Sequence, residues 1–148
     1  MWLELLEKIE RIESGYREKL NSPIDLDKIK SLNKNETNEV KIFIEQEYSR
    51  FLTKVNGLDF NGSVLYGLKT NDTAEIYDFF EYNKIWHEVE ENKQFIFIGE
   101  NNISWFVYNP SNYEYLELDM PSAEVVEKFN SLDDLLESFL SDAIEYAS

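Results

Sequence analysis

Apolar residues recur every three or four positions over the first 20 residues, which predicts an amphipathic helix over 2–20. Its apolar stripe consists of Trp2, Leu5, Leu6, Ile9, Ile12, Tyr16 and Leu20. Ser22-Pro23 ends this helix, because proline has no backbone N–H and serine favours the cap of a following element. Residues 24–38 are mostly polar and predict a short helix at most, followed by a loop over 34–38.

A second helix is predicted over 39–55, where the apolar stripe has the same spacing. The stripe consists of Val40, Phe43, Ile44, Tyr48, Phe51, Leu52 and Val55. Asn56-Gly57 ends the helix, since glycine accepts the left-handed conformation that closes a helix. The period then changes, and the short apolar runs 58–60 and 63–68 flank Asn61-Gly62, which predicts a β-hairpin.

Residues 73–91 predict a helix in two pieces, broken near Asn83. Its inward-facing residues are Ile76, Phe79, Phe80, Ile85, Trp86 and Val89. Strands are predicted at 95–99, 103–108 and 113–118, with turns at 101–102 and 111–112, which together form an antiparallel meander.

The last predicted element is a helix over 131–146, with Ser131 as its N-cap. Asp133 and Asp134 fall in the first turn, where the helix dipole favours anions. The apolar face consists of Leu132, Leu135, Leu136, Phe139, Leu140 and Ile144. The order of helices and strands predicts an α+β fold, with helices packed on a small antiparallel sheet.

Length and composition bound the class of protein. A chain of 148 residues with 43% hydrophobic residues is the size of a single domain with a substantial core. There is no cysteine, which excludes disulfides, thiolate metal sites and cysteine nucleophiles. No apolar run reaches the roughly 18 residues of a membrane span, and no signal segment opens the chain, so we expect a cytoplasmic protein.

The net charge of −16 argues against direct binding to nucleic acid or to an anionic membrane, because phosphate contacts require Lys and Arg. The charge is uneven: residues 1–60 carry 10 basic and 12 acidic residues, whereas residues 61–148 carry 4 and 18. Two interpretations stay open, solubility alone or a surface that attracts a basic partner. Candidate contact residues, chosen for local acidity and expected exposure, are Asp72, Glu75, Asp78, Glu81, Glu88, Glu90, Glu91 and Glu100.

Catalytic patterns are weak. His87 is the only histidine, which rules out a site built on several histidines. The sequence from His87 begins like a zinc-protease helix motif, but Glu91 stands where the second histidine is required. The carboxylate pairs Asp25/Asp27, Asp78/Glu81 and Asp133/Asp134 could in principle serve acid–base or hard-metal chemistry. We therefore expect no enzyme and no cofactor, with a metal-dependent hydrolase that uses Asp78 and Glu81 as a lesser alternative.

Aromatic residues concentrate on two predicted strands, which carry Trp105, Phe106, Tyr108, Tyr113 and Tyr115. Alternation places Trp105 and Val107 on one face and Phe106 and Tyr108 on the other. Two alternatives follow: the sheet is buried on both faces, or one aromatic set forms a patch that binds a partner.

Four stretches together resemble the SUKH superfamily, which includes the fungal cell-wall-synthesis regulators Smi/Knr and many bacterial immunity proteins. The stretches are Tyr48 to Gly57, Val64 to Leu68, Phe95 through Trp105 to Leu118, and Phe129 to Leu140. They resemble, respectively, the family's aromatic–Phe-Leu–Asn-Gly helix end, the strand after it, the central hairpins, and the closing helix with its Phe-x-Ser-Leu start. The likeness covers a core at 40–142, with 1–38 as an N-terminal helical extension of a single domain over 1–148.

The resemblance implies an α+β binding scaffold without catalysis. In bacteria it implies immunity to a toxin encoded nearby, frequently a nuclease, whose basic active face an acidic domain could cover. The alternative that the fungal members suggest is an adaptor or regulatory module that binds other proteins.

Overall fold

The computed structural model describes residues 1–32, 38–71, 73 and 75–147. An antiparallel β-sheet forms the centre of the fold. Its six described strands are antiparallel and lie side by side in chain order. They are β1 Leu58–Phe60, β2 Ser63–Leu65, β3 Ile96–Glu100, β4 Ser104–Asn109, β5 Glu114–Asp119 and β6 Val125–Phe129. Helices pack against this sheet, which confirms the predicted α+β fold.

The helices are α1 Trp2–Gly15, α2 Leu26–Ser31, α3 Asn38–Phe43, α4 Ser49–Leu52, α5 Phe79–Trp86 and α6 Leu132–Ala147. A π-helical turn, Ile44–Tyr48, joins α3 to α4, and a 3₁₀ turn, Glu90–Gln94, precedes β3. The short α2 agrees with the prediction for residues 24–38, whereas most of the predicted loop at 34–38 lies outside the described residues.

The first helix is shorter than predicted. It ends at Gly15, where the N–H of Tyr16 donates to the carbonyl of Glu13 at 3.0 Å and Arg17 adopts a positive φ of 62°. Glycine is a poor helix former, so the chain turns there although the apolar spacing continues. Leu20, the last residue of the predicted stripe, still packs against the core from outside the helix.

The second predicted helix occupies 38–52 as α3, the π-helical turn and α4. All seven residues of its predicted apolar stripe are buried, from Val40 to Val55. The hairpin prediction is also confirmed, because Asn61 and Gly62 both have positive φ, of 50° and 86°. Two successive left-handed residues match the twist of the flanking strands β1 and β2.

The region 73–91 departs most from its prediction. Helix α5 begins only at Phe79, after the N-cap Asp78, and the chain leaves the helix after Trp86 rather than near Asn83. Three strands match their predictions within one residue, but β6 was not predicted. The N-cap of α6 is confirmed, since the N–H of Asp134 donates to the Ser131 hydroxyl at 3.1 Å.

One layer of the core lies between a face of the sheet and the helices α3 and α6. The Phe43 ring of α3 stacks on Tyr108 of β4 with 5.0 Å between centroids, and Phe139 of α6 meets the Phe106 ring edge-on at 4.9 Å. Helix α1 joins this layer through Trp2, whose indole N–H donates to the Asp133 carboxylate at 2.9 Å. The N-terminal helix is therefore packed onto the closing helix α6.

Candidate functional site

The predicted contact residues divide into three groups by their place in the structure. Five are exposed: Glu75, Glu81, Glu88, Glu90 and Glu91. Two, Asp78 and Glu100, are withdrawn from solvent and hold the fold together. Asp72 lies outside the described residues.

Asp78 was wrongly expected to be exposed. It is only 6% exposed, and its carboxylate accepts the backbone N–H groups of Lys69 at 2.8 Å and of Glu81 at 3.1 Å. Burial raises the pKa of Asp78, and these N–H groups act in the opposite direction. Asp78 is therefore the N-cap of α5 and links that helix to the chain after β2, which leaves it no free face for a partner.

Glu100 is half-buried at the end of β3, where its carboxylate accepts the Tyr66 hydroxyl at 2.9 Å. The indole N–H of Trp86 in turn donates to the Tyr66 oxygen at 2.9 Å. Burial raises the pKa of Glu100, and the Tyr66 hydrogen bond lowers it. This chain of hydrogen bonds joins α5 to the sheet, so Glu100 is better explained as a structural residue than as a contact residue.

Four of the exposed acids lie on α5 or in the segment that follows it, which also carries two exposed apolar residues that were expected to face inward. Ile85 is 46% exposed and Val89 52% exposed. Glu81 lies one turn before Ile85 on α5, and the N–H of Glu88 donates to the Ile85 carbonyl at 3.2 Å. We call this set the α5 acidic surface: Glu81, Ile85, Glu88, Val89, Glu90 and Glu91.

The electrostatic character of this surface follows from its composition. The stretch 75–100 holds seven acidic and two basic residues, Lys84 and Lys93. Lys93 forms an ion pair with Glu90 at 2.9 Å, in which both side chains are more than half exposed. An exposed pair of this kind contributes little to stability, and the surface remains predominantly negative. The surface therefore combines two exposed apolar side chains with exposed carboxylates.

The prediction that Ile85 and Val89 face the core is wrong because α5 starts and ends at other residues than the apolar pattern indicates. Asp78 caps the helix, so the buried side runs through Phe79, Phe80 and Asn83. The helix then ends before Val89, whose N–H donates to the Trp86 carbonyl at 3.4 Å. The sequence does contain a capping signal, Asp78 with Glu81 three residues later, but the apolar spacing alone does not fix where the helix starts.

His87 takes a structural position. It is half-buried, and its Nε2 lies 2.6 Å from the backbone carbonyl of Phe95, which requires the proton to be on Nε2. Among the described residues, no group of three or more His, Asp or Glu side chains is placed to hold a metal ion. Asp78 and Glu81, the pair considered for a hydrolase, are joined instead by a hydrogen bond from the Glu81 backbone.

The aromatic strands do not form an exposed patch. Trp105, Phe106 and Tyr115 are buried, and Tyr108 is half-buried, so the sheet is covered on both faces at β4. Trp105 meets Trp86 edge-on at 5.2 Å on one face, while Phe106 meets Phe139 on the other. Tyr113, in the turn between β4 and β5, is 78% exposed.

Comparison with known proteins adds no relative: no family model matches the chain, and neither the curated proteins nor the solved structures contain a significant match. None of the described helices is both long enough and apolar enough to cross a membrane.

Proposed function

We propose that this chain is an immunity protein that binds a cognate bacterial toxin, such as a nuclease, and neutralises it by covering its basic active face. The α5 acidic surface is the observation that supports this proposal best. Exposed apolar residues bordered by carboxylates provide both of the components that a tight and fast inhibitor needs.

The apolar component supplies affinity. Ile85 and Val89 are about half exposed in the free protein, so a partner that covers them removes apolar area from water. Glu81, Glu88 and Glu91 are exposed in the same segment and supply the charge that attracts a basic face. Such steering speeds association and fades over a Debye length of about 8 Å at physiological salt.

The inhibition needs no chemistry from this chain. A toxin that cleaves nucleic acid binds phosphates through a basic surface, and an acidic protein on that surface excludes the substrate. The resemblance of residues 40–142 to the SUKH superfamily supports the same function, since immunity is the role of many bacterial members.

The decisive experiment uses the toxin domain encoded beside the gene of this chain. Cells that express the toxin alone should stop growing, and co-expression of this chain should restore growth through a complex that survives gel filtration. Failure of both rescue and complex formation would contradict the proposal. A stable complex with a neighbouring protein that is not toxic would instead favour the adaptor function.

Measurements at a series of salt concentrations separate the electrostatic contribution to association from the apolar contribution. The association rate should fall steeply as the ionic strength rises from low values to about 0.5 M, because exposed charges are then screened. An association rate that does not respond to salt would exclude steering by the carboxylates, even if a complex forms.

A further inference from the structure

The strand β6 lies at one edge of the sheet and pairs with β5. In the part of the chain that the structure describes, no strand lies on its outer side. The outward backbone N–H and C=O groups of such a strand can accept another strand. The pairing with β5 shifts register between Glu117 and Leu118, so that Val126 is an extra residue in β6.

The two edges of the sheet differ in exposure. At the opposite edge, β1 is three residues long, and its Leu58 and Phe60 are almost fully buried. In β6 the first four residues are exposed, with Val125 at 51% and Val126 at 58%. Exposed valines on an open strand provide apolar contacts for an added strand, beside its backbone hydrogen bonds.

The charge around β6 indicates which kind of strand could pair with its outer edge. Glu117 on β5 and Asp142 on α6 both have raised pKa values, through burial first and then through neighbouring carboxylates. Glu127 of β6 is one of the neighbours that raise the pKa in both cases. The one lysine of the strand, Lys128, is already paired with Glu114 at 3.0 Å. The surroundings of the edge are therefore negative.

A second copy of this chain is a poor occupant for such an edge. Each copy carries a net charge of −16, and pairing of β6 with its equivalent would bring two acidic groups together. Like charges on neighbouring strands are destabilising. An added strand with lysine or arginine at alternate positions would instead place a cation beside Glu127.

We infer that β6 binds an extended, lysine- or arginine-rich segment of another protein by adding it as a seventh strand to the sheet. This surface is distinct from the α5 acidic surface, because α5 lies beside β3 and β6 is three strands further along the sheet. The inference therefore goes beyond the proposed function and does not rest on it.

The test uses a capped synthetic peptide with alternating lysine and valine, at least as long as the five residues of β6. At low ionic strength, its addition should shift the backbone amide resonances of β6 and slow their hydrogen exchange. A second peptide of the same sequence, N-methylated at alternate residues, keeps the charge but cannot form the strand hydrogen bonds. It should bind about tenfold more weakly or worse.

Two protein variants complete the test. Glu127→Lys should weaken binding of the lysine peptide severalfold, whereas the matched variant Glu7→Lys, at an exposed residue of α1, should leave it unchanged. Absence of any change at β6, or equal binding of the N-methylated peptide, would overturn the inference. Concentration-dependent dimerisation that protects the β6 amides without peptide would assign the edge to a second copy and would also overturn it.

Discussion

The side-chain amide of Asn83 pairs with the backbone of Phe97 in the way that a neighbouring strand would. The Phe97 N–H donates to Oδ1 of Asn83 at 2.7 Å, and Nδ2 of Asn83 donates to the Phe97 carbonyl at 2.9 Å. Strand β2 pairs with β3 only at Glu100 and Gly99, so it does not reach this part of β3. The buried amide of α5 therefore completes the hydrogen bonding of β3 where β2 ends.

We expect Asn83→Ala to lower the free energy of unfolding by about 3 kcal/mol, because two buried backbone groups of Phe97 lose their partner. Chemical denaturation monitored by tryptophan fluorescence measures this loss. The exposed Glu81→Ala on the same helix is the control and should change stability by about 0.5 kcal/mol or less. Equal effects of the two substitutions would show that the Asn83 hydrogen bonds contribute nothing specific.

Gly99 of β3 pairs with Leu65 of β2, and the neighbouring strand leaves no room for a side chain there. A Cβ at this position would overlap the carbonyl oxygen of Val64 and press on the Leu65 side chain. Gly99→Ala should therefore destabilise the protein by about 2 kcal/mol. Gly15→Ala is the matched control, since nothing lies within 4 Å of its Cβ. Alanine at the end of α1 should stabilise slightly, so a thermal melt should shift in opposite directions for the two variants.

Trp2 connects α1 to the rest of the molecule. It is 5% exposed, contacts the Phe51 ring with 5.8 Å between centroids and donates to Asp133, which also pairs with Arg50 at 3.1 Å. Trp2→Ala should cost about 3–5 kcal/mol through lost packing. Tyr16→Ala, at a residue 77% exposed just after α1, should cost almost nothing. A small effect at Trp2 would mean that the N-terminal helix is a dispensable addition to the core.

The partly buried carboxyls predict how stability depends on pH. Burial raises the pKa values of Asp78, Glu100, Glu117 and Asp142 above their ordinary values of 3.8 for aspartate and 4.5 for glutamate. Between the ordinary and the raised values the folded protein binds more protons than the unfolded chain. Its stability therefore falls as pH rises through this window.

Urea denaturation at a series of pH values should accordingly give a higher unfolding free energy at mildly acidic pH than at neutral pH. Glu117→Gln keeps an acceptor for the Ser104 hydroxyl, which lies 2.7 Å from the carboxylate, and should make the pH dependence shallower. Stability that rises steadily towards neutral pH would contradict the pKa directions.

The α5 acidic surface can be tested without disturbing the fold. Ile85→Ser and Val89→Ser alter side chains that are about half exposed, so the unfolding free energy should change by about 0.5 kcal/mol or less. Association with the proposed toxin partner should nevertheless weaken about tenfold or more, because each substitution removes apolar area that the partner would cover. Tyr113→Ser, at an exposed aromatic on a different turn, should leave the association unchanged, and parallel weakening would point to a nonspecific effect.

The sequence by itself determined the fold class, the apolar stripes of the helices, the Asn61-Gly62 hairpin and the meander of β3, β4 and β5. These features depend on the local spacing of apolar residues and on turn residues, and both can be read directly from the sequence. The outward position of Ile85 and the inward position of Asp78 were decided by the tertiary structure. Both depend on where α5 starts and ends, and a shift of a few residues in a helix boundary rotates its buried face.

The sequence pattern likewise did not predict β6 or its position at the edge of the sheet. Its run Val125-Val126-Glu127-Lys128 has no strict alternation, because the strand carries an extra residue and is exposed on both sides. The sequence also did not predict the buried hydrogen bonds between Asn83 and Phe97, because the two residues are 14 positions apart and belong to different elements. Hydrogen bonds of this kind follow from how elements meet in space, whereas hydrophobic periodicity specifies only which side of each element faces the core.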